Sequence, residues 1–334
     1  MNPKLNIIGT SKTVLTVYLL FFVGLHGTRL TAAPTKFDAT PSPQTQQKEF
    51  NTPKEAADSL IKAAETFDIA ALTEILGPDS KDVLNSEDPV QDKNRALAFA
   101  ARAKEKSAVG MDQRDPNRAI LTVGNDDFPV PIPIVKSKGK WKFDMASGRE
   151  EILNRRIGAN ELDAIAVCRG YVEAQQKYSR EKHDDSMVNQ YAQKIISTPG
   201  KHDGLCWQNA DGTWGGPIGE GIARAITQGY TDRTKPFHGY FFKILKGQGP
   251  AAPLGQMDFV VAGAMIGGFA MAAAPAQHRV TGVHSFIVGS NGIVYEKDLG
   301  ADTLKTFEAM ELYDPDKTWK PTDDDWPESD ETSN

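Results

Sequence analysis

The chain is predicted to be α+β, built as two domains. Three observations carry the prediction. Helical spacing near the start of the ordered chain gives way to period-two alternation before residue 146. A long amphipathic helix then spans Arg155–Tyr178, and a strand-rich half closing on Asn291-Gly292 follows it. Helices succeeded by antiparallel strands, twice over, is the pattern of helix packed on sheet.

In the first predicted domain, Phe50–Ala146, Thr52 can cap a helix and Pro53 suits its first position, where the missing N–H costs nothing. Ala56, Leu60, Ala63, Ala64 and Phe67 repeat at helical spacing. A second helix is expected over Ile69–Leu76, stopped by Gly77-Pro78, and a third over Asp92–Lys106. Period two then marks strands at Ala119–Val123, Val130–Val135 and Trp141–Asp144.

The second domain is expected over Ser147–Lys320. In its long helix Ile157, Ala164, Ile165, Cys168, Tyr171, Val172 and Tyr178 share one face. A small helix is predicted at Met187–Ile195, and Gly204–Gly221 reads as a Gly-rich loop bearing Trp207 and Trp214. Strands are expected at Tyr240–Leu245, Phe259–Val261, Phe269–Ala273, Ser285–Val288 and Ile293–Lys297, with Asn291-Gly292 supplying a primed hairpin turn. Thr303–Leu312 should form a last helix.

The ends say where the protein works. Lys4 and Lys12 precede the apolar run Val14–Leu25, and the small residues Ala32 and Ala33 follow, which is the pattern of a secretory signal cleaved near residue 33. An uncleaved anchor is the rival reading. Residues 34–49 read as a polar linker and 321–334 as an acidic, solvated tail. A formal net charge of −6 offers no basic footprint for nucleic acid or an anionic membrane. The expected location is the periplasm or beyond, with no stable membrane span once the signal is removed. In such an oxidising compartment Cys168 and Cys206 could pair, closing a loop worth roughly 3–4 kcal/mol, although Cys168 fits equally well as a buried thiol.

Nearly the whole mature chain resembles an uncharacterised bacterial family of exported proteins, domain of unknown function 2950. The segments that carry the likeness include Asp88-Pro89-Val90, Arg155 to Glu161 (RRIGANE), Pro199-Gly200-Lys201, Pro236 to Tyr240 (PFHGY) and Gly267 to Ala270. The resemblance implies no activity. It favours an aromatic where Cys206 stands, which weighs against a disulfide. The element order of the first domain resembles the cystatin-like and nuclear-transport-factor-2-like (NTF2-like) group, which often forms an apolar pocket between helix and sheet. The second domain resembles a type IV pilin or pseudopilin head, with Ala159, Asn160, Glu161, Ala164 and Ile165 in register. No apolar half-helix precedes Arg155, so the likeness implies a soluble head that cannot polymerise in the pilin manner.

No catalytic signature is present: no HExxH, no Gly-x-Ser-x-Gly and no P-loop. No metal site and no cofactor is expected, and the acid pairs Asp126-Asp127 and Asp184-Asp185 read as solvated surface. His202 beside Asp203, joined by His238 from PFHGY, is the one cluster that could do acid–base work. Trp207, Trp214 and Tyr240 complete the candidate surface, since aromatics on Gly-rich loops anchor glycans or proteins. Two readings follow. The leading one is a non-enzymatic binding or assembly factor with an envelope protein or glycan partner. The alternative is a periplasmic hydrolase using His202, Asp203 and His238.

Overall fold

A computed structural model describes residues 47–232 and 234–323, and the predicted signal, most of the linker and nearly all of the acidic tail lie outside the described residues. The described residues begin three before Phe50. The Gln47 amide donates to Phe143 O at 2.7 Å and to Ile75 O and Leu76 O at 3.1 Å, so these linker residues belong to the fold.

Helix α1 (Pro53–Glu65) starts where Thr52 Oγ1 accepts from Glu55 N at 3.1 Å. Helix α2 (Ile69–Leu76) is capped by Asp68 and stopped by Gly77, whose φ of +91° no residue with a Cβ adopts readily. A single turn, α3 (Lys81–Leu84), leads to α4 (Pro89–Glu105), capped by Asp88. Strands β1 (Ser107–Met111), β2 (Arg118–Val123), β3 (Phe128–Pro129), β4 (Ile134–Ser137) and β5 (Lys140–Phe143) form an antiparallel sheet in the order β1-β2-β4-β5, with β3 on β2. The strand predicted at Val130–Val135 begins only at Ile134, because Pro131 and Pro133 have no N–H to give a ladder. The helices cover this sheet around Leu60, Leu72, Ile75, Leu121, Ile134 and Phe143.

Helix α5 runs from Met145 to Tyr178, 34 residues or about 50 Å. It starts ten residues before the predicted position, at an Asp144 cap. Its first turn lies close on the connection between β3 and β4: a Cβ on Gly148 would meet Pro131 O at 2.6 Å. Met145 and Ile152 pack with the first core, whereas Ala164, Ile165, Cys168, Tyr171, Val172 and Tyr178 belong to the second. Ile165 is 7% exposed and Val172 3%, so the predicted apolar face is the buried face.

Beyond α5, residues 187–195 form no helix. The buried Gln175 side chain accepts from Ala192 N and donates to Ala192 O, both at 2.8 Å, holding the segment open. A small hairpin, β6 (Trp207–Gln208) with β7 (Trp214–Gly215), precedes α6 (Gly219–Thr227), a helix that the glycines of this region hid. Then come β8 (Tyr240–Leu245), β9 (Gly247–Gln248), β10 (Met257–Asp258), β11 (Val260–Val261), β12 (Ala264–Met265), β13 (Ala270–Pro275), β14 (His284–Gly289) and β15 (Val294–Asp298). Helix α7 (Thr303–Ala309), β16 (Leu312–Tyr313) and β17 (Lys320–Pro321) end the fold. The main sheet has the order β17-β15-β14-β13-β8 and is antiparallel throughout. The β14–β15 hairpin forms as predicted, but only Gly292 takes a left-handed φ (+76°), so its turn is not of the primed type. The molecule is thus mixed α+β, with seven α-helices among the described residues and two buried cores within one compact unit. None of the described helices is long and apolar enough to cross a membrane.

Candidate functional site

The six residues predicted for a binding or catalytic surface divide into two groups at different stations of α5. His202 and Trp207 lie at its C-terminal end: their rings meet edge-to-face at 4.5 Å, and the Tyr178 hydroxyl donates to His202 O at 2.6 Å. Trp214 stands on the adjoining strand β7. Asp203 does not orient His202. Its carboxylate accepts from Thr198 N, the Thr198 hydroxyl and Lys194 Nζ, each at 2.8 Å. Partial burial opposes ionisation, but these donors hold Asp203 down to about 2. The carboxylate facing His202 is Asp184, 3.4 Å from its Nδ1.

His238 belongs to the middle of α5. Its Nδ1 lies 2.7 Å from Asp163 Oδ2, and its ring stacks on Phe237 at 4.2 Å. Fifteen residues separate Asp163 from Tyr178, about 22 Å along the helix. That distance keeps His238 out of any cleft containing His202. Tyr240 offers no surface: it is 1% exposed and its hydroxyl donates to His284 O at 2.9 Å. The cluster required by the hydrolase reading does not form.

The cysteines are two buried thiols rather than a disulfide. Cys168 sits between helix and sheet in the second core, where burial pushes its thiol up to about 12. Cys206 Sγ donates to Ile195 O at 3.4 Å, beside the Ile196–Cys206 bridge. Of the surface acid pairs, Asp126 and Asp127 are neutralised by Arg102 and Lys106.

What the fold does bring together is a buried polar network around the middle of α5. Asp88 is 1% exposed, and its carboxylate accepts from Gln91 N (2.9 Å), Gly239 N (2.9 Å) and the Tyr230 hydroxyl (3.1 Å). Burial and Asp88 push the Tyr230 hydroxyl up, so it remains a donor. One turn along α4, Asp92 accepts from Ser86 N (2.8 Å) and Ser86 Oγ (2.7 Å) and stands 3.8 Å from Arg156 Nη2. Arg156 donates to Asp82 O at 2.7 Å and to Val83 O. Arg95 Nη2 donates to Asn160 Oδ1 at 2.9 Å, and Asn160 Nδ2 to Thr281 O at 2.8 Å. Next along α5, Glu161 Oε1 accepts from Val283 N and His284 N. Gly239 is required here: its φ is +76°, and a Cβ would lie 2.5 Å from Asn160 Nδ2.

This network borders an apolar cleft of about 370 Å³ bounded by helices α1–α5 and the 130–132 connection between β3 and β4. Leu60, Leu72, Phe99, Val130, Ile132 and Ile152 form much of its wall, and Asp92, Arg95 and Arg156 line it too, with Arg155 exposed beside them. Two nitrogens of these side chains, Arg95 Nη1 and Arg156 Nε, are buried without a hydrogen-bond partner. Burial, reinforced by the neighbouring Arg156, lowers Arg95 to about 10. Burial raises Asp92, against the opposing pull of Ser86 and Arg156. A wider groove of about 620 Å³ beside the β14–β15 hairpin is walled by exposed charges of both signs, Glu173 with Lys177 and Arg180.

Sequence reasoning marked Asp88, Arg156, Asn160 and Gly239 as family segments without giving them a role, and it missed Asp92 and Arg95. The usable signal was Asp92, Arg95, Ala96 and Phe99 on one face of α4, two charges within an apolar stripe.

No curated protein and no solved structure matched the chain. The family described as Protein of unknown function (DUF2950) matches residues 47–322, nearly all of the described fold. Asp88, Arg156, Asn160 and Gly239 hold this fold together inside that span, and the chain belongs to the DUF2950 family.

Proposed function

We propose that this protein is an exported, non-enzymatic binding protein of the bacterial cell envelope, and that the cleft of its first core is the ligand seat. The observation that carries the reading is the cleft itself: about 370 Å³, mostly apolar walls, and a few polar side chains, Asp92, Arg95 and Arg156, among them. That combination is typical of small-molecule sites. The separation of His202 from His238 supports binding over hydrolysis, because acid–base catalysis needs its groups within hydrogen-bond reach of one substrate. The secretory pattern ahead of Ala32-Ala33 supports export to the periplasm. In this reading the first core is a cystatin-like or NTF2-like unit, supported by helices covering a sheet around a cleft. The second is a pilin-head-like unit, supported by the buried face of α5 on an antiparallel sheet.

Nile red, an uncharged dye that brightens in apolar surroundings, tests the seat. Saturable fluorescence is expected with the secreted protein, abolished by Ala96→Trp, whose ring would fill the cleft. Absence of saturable binding would remove the reading. Recovery of the chain from the cytoplasm with residues 1–33 intact would remove the export half of it.

A further inference from the structure

We infer that the groove beside the β14–β15 hairpin is the docking site of the chain's own acidic stretch, residues 324–331. The groove follows α5, where Arg169, Glu173, Gln176, Lys177 and Arg180 share one face, and its opposite wall is the 290–294 turn. Thr322 lines it too, so the chain enters the groove just where the described residues end. The register of β17 sets the direction the chain takes. Lys320 pairs with Glu296 and Pro321 with Tyr295, and Thr322 N donates to Val294 O at 3.0 Å. Each residue gained along β17 is therefore one lost along β15. That course carries the chain beyond Asp323 past the start of β15 and along the turn that walls the groove.

Charge selects this occupant. Three basic side chains and one acidic one, Glu173, line the groove, so its lining sums to a formal +2. Lys177 and Arg180 are exposed and form no salt bridge among the described residues. Residues 323–331 carry six acids and no base. Eight extended residues, 324–331, span about 26 Å, longer than the roughly 16 Å of α5 between Arg169 and Arg180. The stretch also brings an apolar group, Trp326, and the groove offers it Ile293, 44% exposed. Exposed ion pairs are individually weak. A tether this short holds the acids at an effective concentration on the order of millimolar, which compensates for that weakness.

A labelled peptide of residues 324–334 tests the groove against two forms of the protein, one with its tail intact and one ending at Asp323. The peptide should bind the shortened protein, and about tenfold or more weakly to the intact one, whose own tail competes. Lys177→Gln with Arg180→Gln in the shortened protein should abolish binding. Equal affinity for the two forms would overturn the proposal. No binding to the shortened form would also overturn it, as would binding that the double substitution leaves unchanged. Should the shortened form not fold, carbodiimide coupling on the intact protein decides the matter. Amide cross-links from Lys177 to the acids of 324–331 within one chain are expected, and they should disappear at about 1 M salt, where exposed charges are screened within about 3 Å. Cross-links formed only between chains would give the groove to the tail of a second copy and overturn docking in cis. Coupling of Lys177 to Glu173 alone would overturn it as well.

Discussion

At the scale of single residues, chain adjacency proved a poor guide to chemistry. His202 and Asp203 are neighbours, yet consecutive side chains of an extended segment point to opposite sides. One therefore faces Trp207 and Asp184 while the other turns to Lys194 and Thr198. Asp203 is a clamp on the 194–198 turn, and its behaviour with pH follows. Its folded pKa, about 2, lies below its ordinary value, so its contribution to stability is complete above about pH 4 and is lost as pH falls toward 2. Asp203→Asn should lower stability by about 1–2 kcal/mol at neutral pH, the worth of a charge-assisted hydrogen bond partly exposed to water. It should also flatten the acid limb of a melting-temperature profile between pH 4 and 2. An unchanged acid limb would show that other carboxylates govern that range.

At the scale of elements, legibility tracked how local the determining chemistry is. The start of α1 and both ends of α2 were readable to the residue, because Thr52, Pro53 and Gly77 act on the turns they adjoin, whereas Phe67, counted in the helical repeat, lies beyond the end of α1 at Glu65. The first ten residues of α5 were not, since MASGREEILN shows no clear apolar stripe and is fixed by tertiary contacts of Met145, Gly148 and Ile152. Helix α6 hid behind Gly219 and Gly221. Within α5, Gly158 is exposed and helical, and a Cβ there meets nothing within 4 Å. Gly158→Ala should therefore stabilise the protein by about 0.5–1 kcal/mol by restricting the unfolded chain. Chemical denaturation would measure the gain. A loss instead would reveal that this part of α5 needs glycine's bare backbone in the folded state.

At the scale of the whole molecule, the parts that sequence could not assemble are the ones joining the cores. Gly239 and Asp88 are 151 residues apart, and Arg95 and Asn160 are 65 apart. No spacing rule reports contacts so remote, although the segments containing Asp88, Asn160 and Gly239 were visible as family motifs. Asp88 caps α4 of the first core and accepts from Gly239 beside the second. Asp88→Ala strands those buried donors and should cost about 3 kcal/mol. The loss should appear as one lowered denaturation midpoint for both cores, followed by far-ultraviolet circular dichroism and tryptophan fluorescence. Two separated transitions would show that the cores unfold independently.

A single helix serving two interiors also limits how the gene can drift. Each residue added to or removed from α5 between Ile152 and Ala164 swings everything beyond it by about 100°. One inserted codon would rotate Cys168 and Tyr171 off the sheet that shelters them, so a change of length here disturbs the second core as a whole, whereas a point change at an exposed position such as Gly158 does not. The turn between β1 and β2, exposed from Arg114 to Asn117, has no such phase to keep and is where insertions can accumulate.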